Sequence, residues 1–193
     1  PHTSKSSSLL NRLVSNAVFE VIDRKQIANI TFQGLDFTET PPGSLTLLSF
    51  QDGYQENFSK VVTFDVDKAR QDLQVAGWTA GPDGMRSKGG QPLEFSYVNT
   101  GDDPVGKAIA GAVVAMLKNI GVKLDIRQVP SAELSSIFSG RKFDMFYSGF
   151  YQTDPFGMAY ICQIYCSDSQ LNLSRSNDPA FDPGVKSVNT MPS

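Results

Sequence analysis

The 193-residue chain predicts an α/β fold, with a largely parallel sheet flanked by helices and a small β-hairpin at its side. Three observations carry that expectation. From Leu93 onward, extended and helical patterns alternate with tight links, the order a parallel sheet with covering helices needs. Ahead of that run, "GPDGMRSKGGQPLEF" has turn dipeptides at Asp83-Gly84 and Gly89-Gly90, which read as a hairpin. Hydrophobic residues make up 40% and charged residues 19%, a globular composition.

Taken in order, the apolar pairs Leu9/Leu10, Leu13/Val14, Ala17/Val18 and Val21/Ile22 lie four apart, which predicts a helical stripe over 9–32 that Gly34 ends. "ETPPGSLTLL" is a proline-stiffened connection, and the stretch to Val62 has no period. In "FDVDKARQDLQVAGW", Asp65 is an N-cap, Asp67 falls in the first turn and Gly77 follows the last helical residue. The hairpin runs into a strand over 93–98. Asp103 then caps, and Pro104 begins, a helix with apolar positions Val105, Ile109, Val113, Met116, Leu117 and Ile120, stopped at Gly121. Strands are expected over 122–129 and 143–148, with a short helix over 131–139 between them. A last helix starts at Pro155, and "SRSNDPAFDPG" closes the chain in turns. Residues 9–183 are read as a single α/β lobe, 1–8 as a disordered or added tail and 184–193 as a frayed end. The abrupt start at "PHTSKSSSLL", without a charged-then-apolar leader, reads as a piece of something longer.

Charge and length exclude several classes. A net charge of −3 argues against nucleic acid as a partner, because phosphate binding needs a clustered positive field. No apolar run reaches the roughly 18–20 residues of a membrane span. The single histidine, His2, lies in the opening tail, so no Ser/His or Cys/His pair is available for nucleophilic catalysis. Asp65/Asp67 and Asp102/Asp103 sit at helix starts, where capping accounts for them. "GMRSKGG" lacks phosphate-loop spacing and lies between extended segments. No enzyme, cofactor or metal is expected. Cys162 and Cys166 lack a second ligand pair. On one helix face their α-carbons would stand about 6 Å apart, marginal for a bridge. Two unpaired, half-buried thiols are expected, with a bond as the alternative if the helix ends between them.

Open α/β sheets bind ligands outside the carboxyl ends of their strands. Here those ends are Asn99–Asp102, the junction at Val129–Ser131, and Gly149–Asp154 within "GFYQTDPFGMAY". Phe150, Tyr151 and Gln152 combine flat apolar faces with hydroxyl and amide groups, the mixture small-molecule pockets use. The competing reading places Phe150 in the core and Tyr151 on its rim. Asp154 before Pro155 reads first as an N-cap, a role compatible with helping to hold a polar ligand.

The ordered series "AVFEVIDRKQIA", "FDVDKARQDLQVAGW", "DGMRSKGGQPLEF", "AIAGAVVAMLKNIGVKLDIRQV", "FDMFYSGF" and "SRSNDPAFD" resembles the peptide- and nickel-type extracellular solute-binding proteins of ABC importers. The resemblance covers residues 16–182. It implies a periplasmic-binding-protein-like lobe, the later of two that close over a ligand, with an N-terminal lobe and an ABC permease as partners. The implied location is extracytoplasmic, periplasmic or lipid-anchored, and the implied role is non-catalytic capture of a peptide-like or other polar solute. The strand ends set at that cleft are Asn99, Ser131, Gly149, Phe150, Tyr151, Gln152 and Thr153, with Asp154 at the helix start. Where peptide-binding members read "G-W-x-A-D-Y", Gly149 keeps the glycine, Phe150 replaces Trp, and Thr153 falls at the Asp that pairs with a peptide ammonium. Ser131 falls where some peptide binders place another Trp. The stretch "TDPFG…AYICQIYCSDSQLN" resembles an actinobacterial subgroup of the family. That subgroup includes a lipoprotein linked to phosphatidylinositol-mannoside and lipoarabinomannan assembly. This implies an alternative role as a regulatory or scaffold protein that contacts a lipid headgroup or an envelope enzyme.

Overall fold

The structure, a computed structural model, describes residues 11–45, 47–147, 159–173 and 179–188. The chain forms two compact units. Unit 1 takes Pro1–Pro41, Asn57–Ala132 and Phe143–Tyr147, and unit 2 takes Pro42–Glu56, Glu133–Lys142 and Ser148–Ser193.

Unit 1 begins with helices α1 (Arg12–Val21) and α2 (Arg24–Thr31). The expected single helix over 9–32 is therefore broken at Ile22-Asp23. The Asp23 carboxylate accepts from the Lys25 and Gln26 amides at 2.9 and 3.1 Å. An Asp that can cap a new first turn competes with continuing the old helix. Helix α3 (Val66–Val75) starts where Asp65 accepts from the Lys68 amide at 2.8 Å, as expected.

The hairpin region is a three-stranded antiparallel sheet of β1 (Thr79–Ala80), β2 (Arg86–Lys88) and β3 (Gln91–Pro92). Between β2 and β3, Gly89 and Gly90 both take positive φ, 57° and 77°. That pair of left-handed residues makes a tight hairpin turn that two glycines allow without a Cβ penalty.

The parallel sheet has strand order β5-β4-β6. Strand β4 (Glu94–Thr100) pairs along its length with β5 (Lys123–Val129), and with β6 (Met145–Phe146) at Tyr97↔Met145 and Val98↔Phe146. Helix α4 (Pro104–Asn119) crosses between β4 and β5, its Asp103 cap accepting from the Val105 and Gly106 amides at 3.3 and 2.9 Å. Of its expected apolar positions, Ile109, Val113, Met116, Leu117 and Ile120 are buried, whereas Val105 at the open first turn is 37% exposed. The core lies between the helices and one sheet face. Val14, Val18 and Val21 of α1 and Leu73 of α3 join Phe95 and Tyr97 of β4 with Ile109 and Leu117 of α4. Each such side chain contributes about 1.5–3 kcal/mol through burial. The "FD" motif serves the sheet. The Asp144 carboxylate accepts from both the amide and the hydroxyl of Ser96 at 2.8 Å, tying the approach to β6 onto β4.

Unit 2 contains α5 (Leu134–Gly140), α6 (Ala159–Tyr165) and α7 (Asp182–Val188). Turns are expected for the closing residues, but 182–188 are helical. Asp182 makes the start, accepting from the Ser167 amide and hydroxyl at 3.0 and 2.7 Å. The cysteine expectation is also corrected. Cys162 and Cys166 form a disulfide, with α-carbons 4.6 Å apart. Helix α6 ends at Tyr165, so Cys166 lies beyond the last helical residue and the two α-carbons come closer than the about 6 Å of a continuing helix. A helix that ends between the two cysteines is the condition under which the bond forms.

Candidate functional site

Strands β4, β5 and β6 run parallel, so their carboxyl ends lie along one edge of the sheet. The ladder sets Asn99 opposite Gln128 and Thr100 opposite Val129. Side chains alternate along a strand, so Tyr97 and Asn99 share the face that Phe95 presents to the core.

Asn99 is only 5% exposed. Its amide Nδ2 donates to Gln128 Oε1 at 3.0 Å. The other end of Gln128, Nε2, donates to the Gly101 carbonyl. The Gly101 amide in turn donates to the Val129 carbonyl at 3.0 Å. One glutamine thus ties the ends of both strands together. Gly101 has φ +72°, and a Cβ built on it would lie 3.0 Å from Ser131 Oγ. The chain turns here in a conformation that favours glycine, which lets Ser131 sit close against it. Helix α4 begins beside this edge. A Cβ on its Gly106 would lie 3.3 Å from Asn99 Oδ1.

The ionisable groups nearby are committed to the fold. Asp103 caps α4. Asp102 pairs with Lys107, and that hydrogen bond holds its carboxyl below the usual range. Among the described residues, the polar groups that the strand ends bring together, Asn99, Gln128 and Ser131, are neutral amides and a hydroxyl. Deeper on the same face, the Tyr97 hydroxyl is buried with no hydrogen-bond partner among the described residues. Burial, followed by the charge of Tyr147, pushes its pKa up to about 12. Tyr147 itself is 45% exposed just past β6.

Of the residues expected at the site, the structure brings Asn99 and Ser131 together through Gln128 and Gly101. Gly149, Phe150, Tyr151, Gln152, Thr153 and Asp154 lie outside the described residues. Gly101 falls within the expected strand end 99–102, whereas sequence reasoning missed Gln128 and the Tyr97/Tyr147 pair. The signal that reaches Gln128 is the parallel register, which needs the pairing of two strands and not one segment alone. Among the described residues no group of three or more His, Cys, Asp or Glu side chains could hold a metal ion. No helix of the described residues is long and apolar enough to cross a membrane.

Comparison with solved structures identifies the architecture as the periplasmic-binding-protein fold. NikA from Brucella suis in complex with Fe(III)-EDTA superposes with a TM-score of 0.71 at 21% identity, over 94% of this chain and 36% of that one. The oligopeptide-binding protein AppA from Bacillus subtilis, in complex with a nonapeptide, gives 0.68 at 21% identity, over 97% and 37%. The chain belongs to the bacterial extracellular solute-binding proteins, family 5, whose middle region matches residues 5–172. The nickel-binding periplasmic protein of Escherichia coli (strain K12) is 35% identical over 133 residues, 65% of this chain and 25% of that protein. The chain thus spans about a quarter of that relative and little more than a third of the solved structures.

Proposed function

We propose that residues 9–183 act as one lobe of an extracytoplasmic solute-binding protein of an ABC importer, non-catalytic, with a second, N-terminal lobe and a permease as partners. The solute, peptide-like or another polar small molecule, is captured between lobes by hinge closure. Its contacts on this lobe are Asn99, Ser131, the aromatic faces of Phe150 and Tyr151, and hydrogen bonds from Gln152 and Thr153 beside Gly149. Asp154 contributes a fixed helix start. The observation that carries this reading is the neutral polar edge formed by Asn99, Gln128 and Gly101 at the strand ends of a family 5 chain. Relatives that bind nickel, a metal chelate or a nonapeptide set the range of probes.

Calorimetry on the full-length receptor tests the assignment with nickel–histidine, a metal–EDTA chelate and a short peptide as titrants. A probe that binds is expected to lose at least about tenfold in affinity on Asn99→Ala combined with Phe150→Ala, as loss of a buried polar contact and an aromatic face implies. Unchanged affinity would remove the site from this edge.

A second reading is favoured by Thr153, which stands where peptide-binding relatives carry an Asp. A buried ammonium needs a countercharge, so a guest without one fits better. In that reading the protein is a lipid-anchored regulatory or scaffold protein of cell-envelope glycolipid assembly, contacting a lipid headgroup or an envelope enzyme. Deletion of the gene separates the two: lost solute uptake supports transport, whereas altered phosphatidylinositol-mannoside and lipoarabinomannan with normal uptake supports the scaffold.

A further inference from the structure

We propose that the Cys162–Cys166 disulfide is a redox latch in unit 2, holding residues 159–173 and 179–188 together while unit 1 folds independently of it. Among the described residues of unit 2, the buried side chains are Ile137, Cys166, Asn172 and Val185. A segment with few buried apolar side chains gains order from a covalent staple. Unit 1 has a continuous core and needs none.

The bonds around the disulfide run in series. Cys166 is fully buried, and its amide donates to the Cys162 carbonyl at 2.9 Å, across the same turn the sulfur bridge closes. The fully buried Asn172 donates from Nδ2 to the carbonyls of Tyr165 and Cys166, both at 3.2 Å, which caps the end of α6. The next residue, Ser167, supplies both hydrogen bonds to Asp182 at the start of α7 and holds that carboxyl below its usual range. Tyr165 meets the Phe181 ring edge-on at 6.3 Å. The bridge fixes the helix end, the helix end aims Ser167, and Ser167 holds α7.

Cys162 is the half-buried partner, so an external dithiol attacks its sulfur and displaces Cys166 as thiolate. A second exchange frees Cys162. Two electrons and two protons end on the cysteines, and the dithiol leaves as its own disulfide. A small-molecule disulfide reverses the exchange. The latch rests on the proposed extracytoplasmic location only for an oxidising surrounding, and its test uses no solute, so either idea can fail alone.

The test is hydrogen exchange read by mass spectrometry on the full-length protein, before and after dithiol treatment, with alkylation confirming two free thiols. Reduction is expected to speed exchange of 163–172 and 183–188 by about tenfold or more, leaving β4 and α4 unchanged, as a local opening requires. Equal exchange in both states overturns the latch, and so does matching acceleration in α4. Cys162→Ser alters the half-buried sulfur alone. It is expected to show the reduced pattern and no further response to dithiol, and retention of the oxidised pattern overturns the proposal.

Discussion

Arg86 and Gly121 meet backbone to backbone. The Arg86 amide donates to the Gly121 carbonyl at 2.8 Å. A Cβ on Gly121 would lie 2.5 Å from the Gly84 carbonyl oxygen and 2.8 Å from Arg86 Cγ. Gly121 also has φ +82°. The glycine that ends α4 therefore does two things: it turns the chain into β5, and it leaves room for the hairpin to lie against the turn. Gly121→Ala is expected to destabilise unit 1 by about 2–4 kcal/mol, from a left-handed residue with a Cβ and an overpacked contact. Urea unfolding followed by the fluorescence of Trp78, the single tryptophan, reads this directly. A midpoint within error of the parent would contradict the close approach.

The same hairpin sends the Arg86 guanidinium inward. Its Nε donates to the Ile120 carbonyl at 2.9 Å and one terminal nitrogen to the Trp78 carbonyl at 2.6 Å. From the other side, Arg70 donates to the Asn119 carbonyl at 3.0 Å. Two cations thus satisfy the last carbonyls of α4, where the helix dipole is negative. Burial, then the charge of Arg70, lowers the Arg86 pKa from its ordinary value. Arg86→Met is expected to cost about 2–4 kcal/mol, because it strands buried carbonyls. Arg86→Lys should recover only part of that, since one ammonium cannot span both acceptors in the guanidinium's fork. Full recovery by lysine would show that charge alone matters there.

Tyr97 places a hydroxyl in the core with no partner among the described residues. Tyr97→Phe is expected to raise stability by about 1 kcal/mol at neutral pH, since it removes a buried polar group that makes no bond. The phenol is an acid with its folded pKa pushed up to about 12, against about 10 unfolded. Above pH 10 the unfolded chain ionises first, so this group drains stability as pH rises from about 10 to about 12. Urea midpoints measured across that range should fall less steeply in Tyr97→Phe. Parallel slopes in both proteins would rule out the assignment.

Much of unit 1 is legible from local signals in the amino-acid sequence. Asp65 and Asp103 announce helix starts, Gly121 announces a stop, and each acts within a turn of its own position. The failures have a common form. The break at Ile22-Asp23 leaves the four-residue apolar spacing intact, so periodicity cannot see it, and only the reach of the Asp23 carboxylate reveals it. The cysteine pairing depends on one residue, the end of α6 at Tyr165, and helix boundaries are the least legible feature of a sequence. At the site, Asn99 is visible as a strand end. Gln128 becomes visible only through the register that sets it opposite Asn99.

Lys68 joins α1 to α3 by bonding Glu20 Oε1 at 2.5 Å and Asp72 Oδ2 at 2.8 Å. The partners are unequal. Lys68 is half exposed, but Glu20 is buried and its second carboxylate oxygen has no partner among the described residues. The hydrogen bond to Asp72, followed by that to Glu20, raises the lysine pKa well above its ordinary value. The stabilisation is therefore complete below the unfolded value of about 10.4 and disappears only as pH climbs through the folded one. Lys68→Met strands a buried carboxylate and is expected to cost about 1–3 kcal/mol, less than a wholly buried pair because water reaches the lysine. With Glu20→Gln already in place the same change should cost about 1 kcal/mol less, which a double-mutant cycle in urea measures. Additive losses would mean that Glu20 is satisfied without Lys68, and that α1 and α3 are joined by apolar packing alone.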